Sequence, residues 1–214
     1  MTQNSQDYVS VIGFSLIQPV IELVEKLESS AVVEPNEVHT GQGENGYSCA
    51  VVALTILLLE SALNRTRYLR KDANSEGISV ADYFSKISPD QNLALAVDEI
   101  FAARDAIVHN HLWEAKVNTV AMKFASPPKL LPGYGNTRLR RVMDPETRLS
   151  RRLKINLFPP RIWRRDAYVV FKTVGRTLAT LEEMDRAYFY ISVRHFRFRG
   201  HLVRLREVLN ALPY

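Results

Sequence analysis

Apolar residues recur at intervals of three and four along most of this chain, the spacing that places them on one face of a helix. Val9, Ile12, Leu16, Val20, Leu23, Val24 and Leu27 predict a first helical element from about Tyr8, with Pro19 expected to kink it or to start a second piece. Ser29 to Gly46 carries Pro35, Gly41, Gly43 and Gly46 with few apolar residues and reads as an exposed loop. Tyr47 to about Arg70 predicts a second, long helix whose first half is apolar on every side, as in the central helix of a bundle. Its apolar run, Cys49 to Leu59 broken only by Thr55, is about half the length of a membrane span and ends at Glu60, so a buried core helix is expected and no membrane contact. Ser79 with Asp82 starts a short helix through Ile87. Ser88-Pro89-Asp90 repeats the start signal, with Pro at the first helical position. That launches a helix carrying Leu93, Val97, Ile100, Ile107 and Val108 and reaching Trp113.

After Trp113 the pattern changes. Residues from about 123 to 163 hold Pro127, Pro128, Pro132, Gly133, Gly135 and many arginines, and predict a long irregular connection. Helical spacing returns from Arg164 through Tyr168, Phe171, Val174, Leu178, Leu181 and Met184, closing near Ile191, and again in Leu205, Val208, Leu209 and Leu212. The expected fold class is all-α. Residues 1–115 form a helical core, and 116–214 form a basic, partly irregular extension ending in two helices packed on the same domain.

Charge divides the chain in the same place. Residues 1–115 hold 7 Lys and Arg against 16 Asp and Glu, whereas residues 116–214 hold 21 against 7. The second half is basic enough to attract a polyanion, and nucleic acid is the expected one. Arg194, Arg197, Arg199 and Arg204 alternate with Phe196 and Phe198, a texture that suits RNA because arginine holds phosphate and rings stack on bases. The opposite reading is that arginine stems cover apolar surface while the rings pack inward. The lone Cys49 excludes an intramolecular disulfide. With no basic, apolar and small-residue series at the N-terminus, a cytoplasmic location is expected.

The candidate chemistry lies in Phe101 to Trp113, FAARDAIVHNHLW. At about 100° per residue Arg104 falls within the apolar arc, where a charge is costly unless paired, and His109 falls opposite it. Asp105 sits one turn before His109, close enough to orient its imidazole. Glu60 is the only acid within Ser48 to Asn64 and is the expected partner of Arg104, with Asn64 one turn further along the same face. His109-Asn110-His111 spells a nuclease signature, but neighbours two apart on a helix point about 160° from each other and cannot share a metal. Neither a cofactor nor a metal site is expected.

Arg104-Asp105-Ala-Ile-Val-His109 resembles the motif of the HEPN superfamily, an Arg followed four to six residues later by His, with Asn, Asp or His favoured directly after the Arg. His111 also fits the longer spacing, and Asn110 and His111 join Glu60 and Asn64 as supporting residues. The resemblance implies an up-and-down helical bundle that dimerises so that two motifs face each other in a composite site. It further implies a metal-independent endoribonuclease, of the kind found among toxins of toxin–antitoxin and phage-defence systems, with an antitoxin or defence-system partner. Arg104, Asp105 and His109 would be its catalytic residues. The alternative is a non-catalytic HEPN-like helical dimer that binds RNA or a partner protein, with Arg104 as a structural pair to Glu60.

Overall fold

The first apolar stripe forms two helices, α1 (Ile12–Ser15) and α2 (Ile17–Ser29), because Pro19 has no N–H to offer the Ser15 carbonyl. Leu16 between them turns back instead, its N–H donating to Gly13 O at 2.9 Å. The structure is a computed structural model describing residues 12–32, 37, 43–72, 75–109, 113–133, 137–185 and 191–214. Within these residues the protein is mostly helical.

Helix α2 buries Ile17, Val20, Ile21, Val24 and Leu27 against α3 (Glu44–Arg70). Gly13 lets α1 approach α3 closely, since a Cβ there would lie 2.7 Å from Leu58 O. Helix α3 begins three residues earlier than its apolar pattern predicts. The reason is Glu44, a buried carboxylate in the first turn that accepts from the Arg164 N–H at 3.0 Å and its guanidinium at 2.8 Å. By length and composition α3 would suffice to cross a membrane, but half of its most apolar stretch is buried inside the protein. Val51, Val52, Ile56, Leu58, Leu59, Ala62 and Leu63 are enclosed, so core packing accounts for its apolarity.

The next two helices, α4 (Val80–Ile87) and α5 (Gln91–Val108), start on side-chain caps. Ser79 Oγ accepts from Asp82 N–H at 3.1 Å, and Asp90 accepts from the N–H groups of Asn92 and Leu93 at 2.9 and 3.1 Å. Asp90 is therefore the cap of α5 and Pro89 lies outside the helix, not at its first position. Helix α5 also stops short of Trp113, ending at Val108 with His109 as its C-terminal cap residue.

Four short strands follow: β1 (Trp113–Glu114), β2 (Val117–Asn118), β3 (Lys123–Phe124) and β4 (Lys129–Leu130). They pair antiparallel, β2 with β3 inside β1 with β4, with Trp113 opposite Leu130. The expected irregular connection is more ordered than its composition suggests. It contains α6 (Thr137–Val142) and a single 3₁₀ turn, Pro159–Arg161, and it buries Leu139, Ile155, Leu157 and Ile162. Buried carboxylates hold its backbone: Glu99 accepts from Arg152 and Leu153 N–H at 2.7 and 2.8 Å, and Asp166 from Asn156 N–H at 3.2 Å. Each removes a loop N–H from the set that would otherwise need water.

The segment delivers the chain to α7 (Arg164–Met184), which packs along α3 more extensively than any other pair of elements. One hydrophobic core thus runs through both halves of the chain. Beyond α7 the Arg-Phe stretch forms a hairpin, β5 (His195–Phe198) with β6 (His201–Arg204), leading into α8 (Leu205–Ala211), the expected terminal helix. Arg199 and Gly200 take φ of 49° and 81°, the left-handed pair that a two-residue hairpin turn requires. Phe196 and Phe198 are buried while His195 and Arg197 are exposed, a period of two rather than 3.6.

Candidate functional site

The last two turns of α5 carry the motif, and small side chains determine how it is set. Ala102, Ala103 and Ala106 let neighbouring elements close over several sides of the helix, so it has no single apolar face. Asp105 rather than Arg104 is the deeply buried charge: their side chains are 8% and 21% exposed. Val108, assigned to the apolar stripe by spacing, is exposed. His109 lies at the helix end with 56% of its side chain exposed, as expected for a group off the core.

Arg104 stands between two carboxylates, its Nη2 3.5 Å from Glu60 Oε2 and its Nε 3.4 Å from Asp105 Oδ1. Its guanidinium carbon also lies 5.6 Å from the centre of the Phe101 ring. The expected Glu60 pairing is present, but at 30% exposure Glu60 is not an enclosed carboxylate. Asp105 Oδ1 is 3.8 Å from His109 Nε2, a spacing for ionic attraction rather than a hydrogen bond. Asn64 is exposed on α3 one turn beyond Glu60. Asn110 and His111 lie outside the described residues.

Sequence reasoning missed Arg138. From α6 its Nη1 reaches Asp105 Oδ2 at 3.4 Å, its Nε reaches Asp98 Oδ1 at 3.1 Å, and its Nη2 donates to Ser79 Oγ at 2.8 Å. Arg141, one turn on, binds both oxygens of Asp98 at 2.9 and 2.8 Å. Asp105 therefore sits among Arg104, Arg138 and His109, and α6 completes the polar cluster. No local spacing signals this, because Arg138 is 33 residues downstream. The available sign was an acid placed among alanines on a core helix, which needs a cation from somewhere.

The same pairing changes the meaning of the charge asymmetry. Arg138, Arg141, Arg164, Arg176 and Arg199 of the basic half meet Asp98, Asp105, Glu44, Asp90 and Glu28 of the acidic half. These five arginines join the two halves of the chain. In the Arg-Phe interleaving Phe196 and Phe198 face inward, so no ring there is open to a base. Arg199 is bound to Glu28 at 2.7 Å, Arg194 lies over the Phe14 ring, and Arg204 caps α8 by donating its N–H to Glu207 at 2.6 Å. Arg197 is exposed, with its backbone tied to Gln18.

Among the described residues no group of three or more His, Cys, Asp or Glu is placed to hold a metal ion. Cys49 is a free thiol near the Pro159 carbonyl, and burial, helped by Asp166, pushes it up to about 12, which leaves it protonated and unreactive. Comparison of the chain with protein-family models, curated proteins and solved structures gave no match.

Proposed function

We propose that this chain is a metal-independent endoribonuclease of HEPN type, with a HEPN-like helical bundle, acting in the cytoplasm as a toxin or phage-defence effector. The observation that carries the reading is the end of α5, where Arg104 and an exposed His109 flank one buried carboxylate, Asp105. In this reaction His109 takes the proton of a ribose 2′-OH, or gives one to the leaving oxygen. The 2′ oxygen attacks phosphorus, the bond from phosphorus to the 5′ oxygen breaks, and Arg104 stabilises the charged phosphorane. A 2′,3′-cyclic phosphate and a 5′-OH result.

A homodimer with a composite site fits the surface around the motif. Leu57 and Tyr68 are exposed on the face of α3 that carries Asn64, and Val108 is exposed beside His109. An antitoxin or defence-system partner would cover the same face.

The test is incubation of single-stranded RNA with the protein in EDTA, scoring the cyclic phosphate end, with the mass in solution measured by light scattering. Cleavage should fall by about 10²–10⁴-fold in His109→Ala, the usual range for loss of a general acid or base. The mass should be about twice 24.4 kDa. The second reading, a non-catalytic dimer binding RNA or a partner protein, is favoured by Arg104 being held by Glu60 and Asp105 as a structural pair. It predicts no cleavage, and an intact parent rate in His109→Ala would also discard His109 as the proton carrier.

A further inference from the structure

With five arginines of the basic half committed to acids of the other half, the remaining cations show where an anion would be held. One cluster stands out. A cavity of about 380 Å³ opens between the turn at 147–149 and the start of α7, lined by Thr147, Lys154, Asn156, Arg161, Trp163 and Arg165. The geometry points to this cavity as a binding site for the phosphate of a nucleotide, with its base against the aromatic wall.

Arg161 carries the argument. Its guanidinium lies 4.7 Å from the centre of the Phe124 ring, which covers one face, and its Nε is buried with no hydrogen-bond partner among the described residues. An arginine with no carboxylate partner among the described residues is costly in a half-buried setting, and burial lowers its pKa. Lys154 is exposed on the same rim. Arg165 is anchored by donating to Lys154 O at 2.9 Å.

The acids nearby do not neutralise the set. Asp166 is enclosed beneath it, accepting from Asn156 Nδ2 and Trp163 N–H at 2.8 and 3.2 Å, and stands 3.8 Å from Arg165. Asp144, close enough to feel Lys154, is turned to the backbone N–H groups of Glu146 and Thr147. Three cations, Lys154, Arg161 and Arg165, therefore line one cavity together with Trp163, against the carboxylates of Asp166 and Asp144. Guanidinium and ammonium groups suit phosphate oxygens, and the half-buried Trp163 in the cavity lining suits stacking of a base. The buried carboxylates Glu99, Glu44 and Asp166 hold the surrounding backbone, so little ordering is needed on binding.

The site is independent of the cleavage reading, since it contains none of the motif residues. Calorimetric titration of the full chain at low salt with adenosine 5′-monophosphate, inorganic phosphate, adenosine and a 5′-phosphorylated RNA dodecamer tests it. The mononucleotide should bind more tightly than phosphate or adenosine. Lys154→Glu, an exposed change, and Arg161→Ala should each weaken it by at least about tenfold, the usual effect of losing a charged contact. Arg197→Glu and His109→Ala should leave it unchanged. A higher affinity for the dodecamer assigns the cavity to an RNA strand, and a higher affinity for the mononucleotide assigns it to a free nucleotide; either supports the site. Binding of inorganic phosphate as tight as the mononucleotide, or affinity unaltered in a well-folded Lys154→Glu, overturns it. Because His109→Ala keeps the cavity, failure of cleavage and failure of binding are read separately.

Discussion

Replacing Asp105 with asparagine removes a charge shared by two guanidiniums while keeping the side-chain volume, so the change isolates electrostatics from packing. Asp105 lies 3.4 Å from both Arg104 and Arg138 and is 8% exposed. A hydrogen bond to a charged group contributes about 1.5–3 kcal/mol, and leaving a buried charge unpaired costs about 3–5 kcal/mol. Neither arginine is left wholly unpaired, because Arg104 keeps Glu60 and Arg138 keeps Asp98, and the two are 21% and 19% exposed. The expected loss is therefore about 2 kcal/mol, or about 4–8 °C in Tm for a chain of this size. Urea unfolding followed by circular dichroism measures it. Arg138→Met and the double variant complete a cycle in which the Asp105–Arg138 coupling should be about 1 kcal/mol. A loss under about 0.5 kcal/mol in Asp105→Asn, or no coupling, would refute the assignment of Asp105 as the charge on which α5 and α6 meet.

Arg104→Ala should abolish RNA cleavage yet cost only about 0.5–1 kcal/mol of stability, since Glu60 is partly exposed and water replaces its partner; His109→Ala should be equally inactive and unchanged in melting. Denaturation curves of both, beside the cleavage assay, separate the two. A third expectation concerns pH. Burial outweighs the N–H donors around Asp166 and raises it to about 6 from 3.8. Because the folded value is above the unfolded one, its contribution is fully present below about pH 4 and is lost as pH rises through about 6. The component is about 3 kcal/mol, and it should vanish from the pH dependence of urea midpoints in Asp166→Asn.

Local pattern determined much of this protein by itself. The helical stripes placed α2, α3, α5 and α7, and Ser79 capped α4 as its type predicts, because apolar spacing and capping act within one or two turns. The same locality set Arg104, Asp105 and His109 on the end of α5. The terminal hairpin is legible in the same local way. The terminal run HFRF alternates by two, and Arg199 and Gly200 make the turn that pairs it with His201–Arg204.

Only the tertiary structure decided which charge of the motif is buried. That depends on Arg138, a residue of α6 that no spacing rule ties to α5, and on alanines that allow α6 to close over Asp105. It likewise decided which cations of the basic half are held by acids of the acidic half. Composition counts charges, but only the distances between them distinguish an arginine held by a carboxylate from one free to meet a phosphate. The long segment before α7 is ordered for the same reason: its backbone N–H groups are bound by Glu99 and Asp166, and the Arg164 guanidinium at the start of α7 is bound by Glu44. Glu99 and Glu44 lie far away in sequence, and the fold alone brings them to these groups.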